Sequence, residues 1–252
     1  FLSDLPDGAT TLANRIIEEL SKPYEIDGQQ LVIGASVGIA IAPDDGEDAN
    51  ALLKNADLAL YCAKVDGKGV YRLFEAEMDA LARERRRLEI DLRKAVNLGE
   101  FELFYQPIVQ TMTEDIVGFE ALIRWRHSER GLVPPTAFIP VAEEIGLMGQ
   151  IGAWVLRQAC IEATTWPEHC RVAVNISPAQ FRSRQVDLDV LAALSASDLP
   201  PKRLELEITE SVLMENSDSV MTVLHRLRNF GIKIAMDDFG TGYSSLSYLH
   251  TF

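Results

Sequence analysis

The second half of the chain alternates between short apolar runs and longer segments whose apolar residues recur at helical spacing. Strand-like apolar runs occupy positions 101–109, 116–125, 171–176, 204–209 and 232–237. Segments with helical periodicity occupy positions 135–146, 150–166, 185–194 and 215–230. Alternation of this kind predicts a mostly parallel sheet covered by helices, in which chemistry collects at the C-terminal ends of the strands.

The beginning of the chain has a different pattern, which predicts a small α+β unit. Apolar residues share one helical face between positions 10 and 22, and Pro23 ends that helix. An Asp27-Gly28 turn then leads into the apolar run 31–42. Because this run is almost continuously apolar, we expect it to be a strand buried on both sides.

A helix that begins at an Asp48 cap and is closed by Gly67 is predicted next, followed by a short strand at 70–74. The segment 75–98 is then predicted to be a charged helix with a thin apolar stripe. The stripe consists of Leu81, Leu88, Leu92 and Ala95. Several arginines near the middle of this helix are balanced by acidic neighbours, so we interpret it as a solvated connector and not as an RNA-binding segment.

The charge of the chain limits its partners. There are 24 Lys and Arg residues against 38 Asp and Glu residues, which gives a formal net charge of −14. This charge argues against non-specific binding to DNA, RNA or an anionic membrane. The cysteines have neither disulfide nor metal-ligand spacing, and no segment approaches the ~20 apolar residues that span a bilayer. We therefore expect a cytoplasmic protein with reduced thiols.

Oxygen-bearing side chains stand near the ends of four predicted strands. Asp237 and Asp238 close the last apolar run, and adjacent carboxylates repel each other unless a cation lies beside them. Three other strands carry Glu120, Asn175 and the group Glu205, Glu207 and Glu210. Because side chains alternate along a strand, Glu205 and Glu207 are expected on the same face. Ligands of this kind suit Mg²⁺ or Mn²⁺ and do not suit zinc. The pattern therefore predicts a metal-dependent enzyme site.

From position 101 onward the chain resembles the EAL domain, a family of cyclic-di-GMP phosphodiesterases. The matching motifs lie at 104–108, 120–125, 138–143, 174–177, 205–211 and 237–245. The resemblance implies a modified (β/α)8 barrel, similar to a TIM barrel, with one strand reversed. It also implies that the barrel, over residues 100–252, is truncated at its C-terminus, because the family's later lysine and metal-binding glutamate would follow Phe252.

The same resemblance implies roles for individual residues. Two Mg²⁺ or Mn²⁺ ions would be held by Glu120, Asn175, Glu207, Asp237 and Asp238, with Asp238 bridging the ions or holding the second. Arg124 would contact a phosphate of the ligand, and Gln106 would help to line the site. Glu120, Asp237 and Asp238 would be catalytic residues. Glu210 would be a fourth, because it would hold the loop 239–245 in position. That loop couples dimerisation to metal binding in this family, so we expect a homodimer through the EAL domain.

Residues 1–75 resemble the second half of the GGDEF domain, a diguanylate cyclase. The matching residues lie at 36–40 and 56–64, and the signature motif that names the domain would precede Phe1. Lys64 and Lys68 match positions that touch substrate phosphates, although the family more often has arginine at position 68, which binds a phosphate through two hydrogen bonds. Residues 76–99 would connect this partial domain to the EAL domain.

Together the two resemblances imply a bacterial second-messenger protein that hydrolyses cyclic di-GMP to linear pGpG. The metal ions would activate a water molecule and stabilise the leaving oxygen. Two alternatives stay open: a non-catalytic cyclic-di-GMP receptor, and diguanylate cyclase activity from the parent protein's GGDEF domain. We expect the fragment alone to be inactive or poorly folded, because missing strands would leave an open sheet edge. Any membrane anchor of the parent would lie in upstream domains.

Overall fold

The protein is described by a computed structural model, which covers residues 7–26, 29–182, 185–209, 212 and 218–237. Contacts between residues divide the chain into two units, Phe1–Arg87 and Leu88–Phe252. No helix in the described ranges is long and apolar enough to cross a membrane.

The first unit is built from short strands and two helices. Its elements are α1 (Asp7–Leu20), β1 (Tyr24–Ile26), β2 (Gln29–Leu31), β3 (Val37–Ile39), α2 (Ala49–Val65) and β4 (Tyr71–Leu73). Strands β1 and β2 form an antiparallel hairpin in which Ile26 lies opposite Gln29. This register confirms the hairpin predicted around positions 27 and 28, which themselves lie outside the described residues. Strand β3 pairs in parallel with β4.

The prediction of one long strand over residues 31–42, buried on both sides, is wrong. The run is divided between β2 and β3, and the side chains of Leu31, Val32 and Ile33 are 47%, 68% and 52% exposed. Among the described residues β2 pairs only with β1, and β3 only with β4. A continuous apolar run is buried on both faces only inside a wide sheet, and no wide sheet is present in this part of the described chain.

The predicted cap of α2 is confirmed. The Asp48 carboxylate accepts hydrogen bonds from the backbone N–H groups of Asn50 and Ala51 at 2.8 and 2.9 Å. These bonds satisfy two donors of the first helical turn, which have no partner inside a helix. The helix lies so close to β3 that a Cβ at Gly38 would come within 2.1 Å of the Ala56 carbonyl oxygen. Glycine at position 38 therefore permits this helix–strand contact.

The second unit contains one mixed sheet with helices packed on one of its faces. Helix α3 (Glu77–Leu98) crosses the boundary between the units. The elements that follow are β5 (Phe101–Val109), β6 (Ile116–His127), β7 (Gly131–Val133), α4 (Pro135–Glu144), α5 (Met148–Ala163), β8 (Arg171–Ile176), α6 (Pro178–Arg182), α7 (Val186–Ser197), a 3-10 turn (Pro201–Arg203), β9 (Leu204–Thr209), α8 (Asp218–Asn229) and β10 (Lys233–Asp237). The runs predicted for β5, β8 and β9 are confirmed residue for residue.

The sheet has the strand order β10-β9-β8-β6-β5, and β7 pairs with β6 outside this path. Strands β6, β8, β9 and β10 run parallel to one another, whereas β5 is antiparallel to β6. This arrangement confirms the expectation of a mostly parallel sheet with one reversed strand. The C-terminal ends of the four parallel strands consequently lie at the same edge of the sheet.

Alternation along the strands separates a core face from a polar face. Ala173 is buried on the opposite face, and the larger buried residues of β8 and β9 are Val172, Val174, Ile176, Leu204, Leu206 and Ile208. They belong to one apolar cluster with residues of α5 and α7. Because successive side chains of a strand point to opposite faces, the intervening residues of β8 and β9 lie on the other face of the sheet. The predicted functional side chains are among these intervening residues.

Helix α3 contributes to the same core through Leu92 and Ala95, which are fully buried. Leu81, in contrast, is exposed, so the predicted apolar stripe is wrong at that position. The His127 ring lies near the same helix, with Nε2 3.4 Å from an Asp91 carboxylate oxygen. The stripe is therefore used only where α3 meets the core of the second unit.

Arg203 is a buried cation bound by backbone carbonyl groups. Its Nη2 donates to the Ala163 carbonyl oxygen at 2.7 Å and to that of Pro167 at 3.2 Å, while Nε donates to that of Cys170 at 2.8 Å. Ala163 is the last residue of α5, and carbonyl groups at the end of a helix have no partner within the helix. Arg203 supplies donors to these carbonyls and positive charge at the negative end of the helix dipole.

We predict that Arg203→Met lowers the free energy of unfolding by about 2–4 kcal/mol, because three buried carbonyl oxygens each lose a charged donor, although those of Ala163 and Pro167 keep a backbone N–H donor. The measurement is urea denaturation followed by circular dichroism. Lys202→Met is the matched control, since Lys202 is exposed in the same 3-10 turn. Equal unfolding midpoints for the two variants would contradict the prediction.

Candidate active site

The predicted ligand residues are brought together by the register of the sheet. Asn175 on β8 lies beside Glu207 on β9, and Glu207 in turn lies beside Ala235 on β10. Asp237 is the last residue of β10, two positions further along the same face. Residues that are partners in register share a face, so Asn175, Glu207 and Asp237 project from the same side at the C-terminal edge.

Glu120 reaches this group from β6. The Asn175 Nδ2 donates a hydrogen bond of 2.7 Å to the Glu120 carboxylate oxygen Oε1. The backbone pairing of β6 with β8 ends at Ala121 and Val174, one residue before Asn175. The side-chain hydrogen bond therefore connects the two strands just beyond the end of their backbone ladder, and it joins two of the predicted ligands directly.

Glu207 shows how much negative charge this face carries. Burial, together with the neighbouring carboxylates of Glu120, Asp237 and Glu205, raises the pKa of Glu207 from 4.5 to about 7, while Arg171 opposes the shift. Like charges in a partly buried site favour the protonated form of one member. Perturbed carboxylates of this kind are concentrated at functional sites, where a cation or a transferable proton relieves the repulsion.

Glu205 shares a face with Glu207, as predicted, but it is bound to Arg171. The Arg171 Nε lies 2.7 Å from a Glu205 carboxylate oxygen. The side chain of Arg171 also passes over Gly118, where a Cβ would come within 2.6 Å of the Arg171 Cγ. Glu205 thus belongs to an ion pair beside the carboxylate group, and its partner Arg171 is the functional neighbour that sequence reasoning missed. The available signal was a cation on β8 four positions before Asn175, on the same face.

The donors at this edge fit a divalent cation in kind and in charge. Three carboxylates and one carboxamide are hard oxygen ligands of the type that Mg²⁺ and Mn²⁺ prefer. Burial and the neighbouring carboxylates raise the pKa of Glu207, and a cation at this edge would favour its ionised form. Within the described residues, however, no group of three or more His, Cys, Asp or Glu side chains already has the arrangement of a metal centre. The carboxylates would therefore have to draw together around an ion.

The other predicted residues of the second unit lie around this group. Gln106 on β5 is exposed and lies opposite Glu120 in the register of β5 and β6. Arg124 is four positions after Glu120 on β6, and its guanidinium carbon lies 5.5 Å from the centre of the Phe104 ring. The guanidinium also donates to the backbone carbonyl of Ile123 at 2.8 Å. Gln106 and Arg124 are thus placed on the same face as the carboxylates.

The remaining predicted residues are not part of this group. Asp238, Glu210 and the loop 239–245 fall outside the described residues, so their roles stay predictions. Lys64 and Lys68 belong to the first unit, where both side chains are exposed. Lys64 is in the last turn of α2, and Lys68 has a φ of 62°.

Comparison with known proteins places this site in a family. Residues 89–252 match the description of the EAL domain. The chain belongs to the EAL domain family. Residues 3–69 in addition match the diguanylate cyclase, GGDEF domain. The antiparallel first strand and the oxygen donors at the ends of the parallel strands are therefore features of an EAL domain, preceded in this chain by GGDEF sequence.

Relatives of known sequence match almost the whole chain. An uncharacterized signaling protein of Caulobacter vibrioides is 49% identical over 99% of this chain and 31% of its own length. The bifunctional diguanylate cyclase/cyclic di-GMP phosphodiesterase MucR of Pseudomonas aeruginosa is 42% identical over 97% of this chain and 36% of its own length. The chain thus spans about a third of the length of these relatives.

A solved structure agrees with the fold of the EAL domain. The PaMucR phosphodiesterase in complex with c-di-GMP superposes with a TM-score of 0.63 and 41% sequence identity. The superposition covers 66% of this chain and 69% of the PaMucR chain. The predicted fold class, an EAL-type barrel preceded by a partial GGDEF domain, is confirmed by this similarity together with the two family matches.

We predict that the EAL domain loses stability in metal-free buffer as the pH rises from about 4.5 to about 7. The pKa of Glu207 is higher in the folded state than its ordinary value, so the unfolded chain releases this proton first and folding is disfavoured as the pH increases. The expected loss is about 1 kcal/mol, since solvent screens a half-buried carboxylate.

The measurement is urea denaturation from pH 4.5 to pH 8 with a chelator present. The Glu207→Gln variant cannot ionise and should lack this part of the pH dependence. Glu168→Gln, at an exposed position outside the site, is the control and should follow the unsubstituted protein. Parallel curves for Glu207→Gln and the unsubstituted protein would show that Glu207 does not carry the effect.

Proposed function

We propose that this chain forms part of a metal-dependent phosphodiesterase that hydrolyses cyclic di-GMP to linear pGpG in the cytoplasm. The observation that carries the proposal is the convergence of Glu120, Asn175, Glu207 and Asp237 on one sheet face of an EAL domain. The name of MucR and the c-di-GMP in the PaMucR complex support the choice of substrate.

Glu120, Asn175, Glu207 and Asp237 would hold two divalent ions, Mg²⁺ or Mn²⁺, with Asp238 as a further ligand. When bound, such ions supply positive charge to the phosphodiester and lower the pKa of a water molecule that attacks it. The hydrogen bond from Asn175 engages Oε1 of Glu120 and thereby orients this carboxylate, which leaves Oε2 as a further ligand atom. Glu207 would lose its proton when a cation occupies the site, so ion binding should be stronger at higher pH.

Arg124 would bind a phosphate oxygen of the substrate. Its guanidinium lies over the Phe104 ring and presents several N–H donors from the face that carries Glu120. Hydrolysis adds one water across one P–O bond, which converts a phosphodiester into a phosphate monoester and a hydroxyl group. A fixed guanidinium would hold the phosphorus near the carboxylate group while this bond is broken.

Two further properties belong to the same proposal. The GGDEF match at residues 3–69 and the bifunctional name of MucR favour an additional diguanylate cyclase activity in the complete protein. A homodimer formed through the EAL domain is a prediction from the family, and analytical ultracentrifugation of the complete protein would test it.

We predict that Glu120→Ala abolishes hydrolysis of cyclic di-GMP by the complete protein in Mg²⁺ or Mn²⁺. The loss should be about 100-fold or more, because removal even of an outer-shell partner of a metal ligand costs 10–100-fold. Turnover to pGpG is measured by chromatography, and Glu168→Ala is the exposed control. Nucleotide binding without turnover in the unsubstituted protein would replace the phosphodiesterase with a receptor, and GTP cyclisation alone would replace it with a cyclase.

We predict that Arg124→Lys raises the KM for cyclic di-GMP about tenfold, because lysine keeps the charge but loses the planar set of donors. Affinity for Mn²⁺ should stay unchanged, since Arg124 is not among the proposed ligands. Steady-state kinetics and Mn²⁺ titration of the same samples separate the two effects. A fall in Mn²⁺ affinity with an unchanged KM would contradict this role.

A further inference from the structure

The end of strand β8 is paired on one side only, because its ladder with β9 continues to Ile176 while its ladder with β6 does not. Asn175 is the penultimate residue of β8, and the ladder to β6 has already ended at Val174. The chain then enters α6, a helix of only 5 residues. A helix of this length does not persist without tertiary contacts, because helix nucleation is unfavourable. The turn and the short helix that follow β8 lie beyond both ladders, so side-chain contacts must hold them in place.

A buried glutamine holds this segment. Gln180 in α6 is only 3% exposed, and its Oε1 accepts a hydrogen bond of 3.0 Å from the Ser177 backbone N–H. In return, the Gln180 backbone N–H donates to the Ser177 carbonyl oxygen at 3.1 Å. The sequence Ser-Pro-Ala-Gln has the spacing of a helix capping box, and the glutamine side chain closes it in the expected way. Ser177 is two residues beyond Asn175, so the bond fixes the turn directly after the ligand.

The position of Gln180 depends on a glycine in another helix. A Cβ at Gly152 in α5 would lie 2.0 Å from the Gln180 Nε2 and 2.5 Å from its Cδ. Real side chains do not approach so closely, so the Gln180 amide packs directly against the α5 backbone at a place that only glycine leaves open. Gly149, three residues earlier in the same helix, has no atom within 4 Å of an added Cβ. An added Cβ would therefore collide with Gln180 at Gly152 but would meet no atom at Gly149.

We propose that Gln180, packed against Gly152, is a positioning residue that fixes the end of β8 and thereby the Asn175 carboxamide. The inference deepens the proposed function, since it concerns how one of the proposed metal ligands is held. Asn175 is bound on one side to Glu120 and is followed on the other by the turn that Gln180 closes. If that turn moves, the side chains of Asn175 and Glu120 lose the relative position that their hydrogen bond requires. Gln180 itself has no part in the proposed reaction.

The test uses the complete protein and four forms of it: unsubstituted, Gln180→Met, Gly152→Ala and Gly149→Ala. Gln180→Met keeps the length of the side chain and removes the acceptor for Ser177, whereas Gly152→Ala displaces the amide without changing any polar group. Gly149→Ala is the matched control for placing alanine in α5. Mn²⁺ affinity is measured by titration at a temperature at which all four forms are folded.

Gln180→Met and Gly152→Ala should each weaken Mn²⁺ binding about 10- to 100-fold, the range found when residues that orient metal ligands are lost. Gly149→Ala should leave the affinity unchanged. A purely structural role for Gln180 would lower the melting temperature of the variants and leave Mn²⁺ affinity within about twofold of the unsubstituted protein, and this result would overturn the proposal.

Hydrogen exchange without metal supplies a second readout that does not depend on the proposed activity. Peptides that cover residues 171–182 should exchange about tenfold faster in Gln180→Met and Gly152→Ala, since a hydrogen bond that closes the turn is lost. Unchanged exchange in both variants would overturn the proposal. If the unsubstituted protein binds no Mn²⁺ at all, the proposed metal-dependent function fails, and exchange alone decides whether Gln180 holds the end of β8.

Discussion

Carboxylates from neighbouring parallel strands are held on one face of a sheet whose other face is the apolar core. The core fixes the strands, because residues such as Val174 and Leu206 are completely packed and cannot rotate to the polar side. The parallel register then places Glu207 beside Asn175, even though this position brings the Glu207 carboxylate close to other carboxylates. Packing energy thus maintains a concentration of negative charge that free side chains would avoid. Burial and this charge together raise the pKa of Glu207.

This constraint explains why a cation is the natural partner of the site. The repulsion among the carboxylates can be reduced by a proton on Glu207 or by a divalent ion. The proton and the ion therefore compete for the site. Arg171 supplies some positive charge, but its guanidinium is already engaged with Glu205 on the same face. The remaining negative charge is the feature on which the proposed phosphodiesterase activity depends.

Buried polar side chains complete the second unit at the places where the backbone ladder ends. Arg203 satisfies the carbonyl groups at the end of α5, and Gln180 closes the turn after β8. Gln180 supplies an acceptor for the Ser177 backbone N–H, and Arg203 adds charged donors to carbonyl groups near the end of α5. An unpaired polar group is costly in the interior of a protein. The short elements around the site are therefore determined by individual polar contacts, whereas the sheet is determined by apolar packing.

The pattern of apolar and polar residues was sufficient to predict the main strands and helices of the second unit. Strands β5, β8 and β9 were predicted to the residue because alternation and apolar runs are local properties, and the cap at Asp48 was predicted from neighbouring residues. The oxygen donors Glu120, Asn175 and Glu207 were also identified from their place near strand ends. Their metal-binding roles, in contrast, came from the resemblance to the family and stay predictions.

Contacts between distant segments decided the rest. The apolar run 31–42 predicts a buried strand. Its burial depends on neighbouring strands, however, and the sequence of the run does not specify them. The bond between Asn175 and Glu120 joins residues 55 positions apart, and the contact of Gln180 with Gly152 requires two helices to approach until one amide touches a backbone. Apolar periodicity encodes which face of an element is buried, but register and close approach arise only when separate elements pack together.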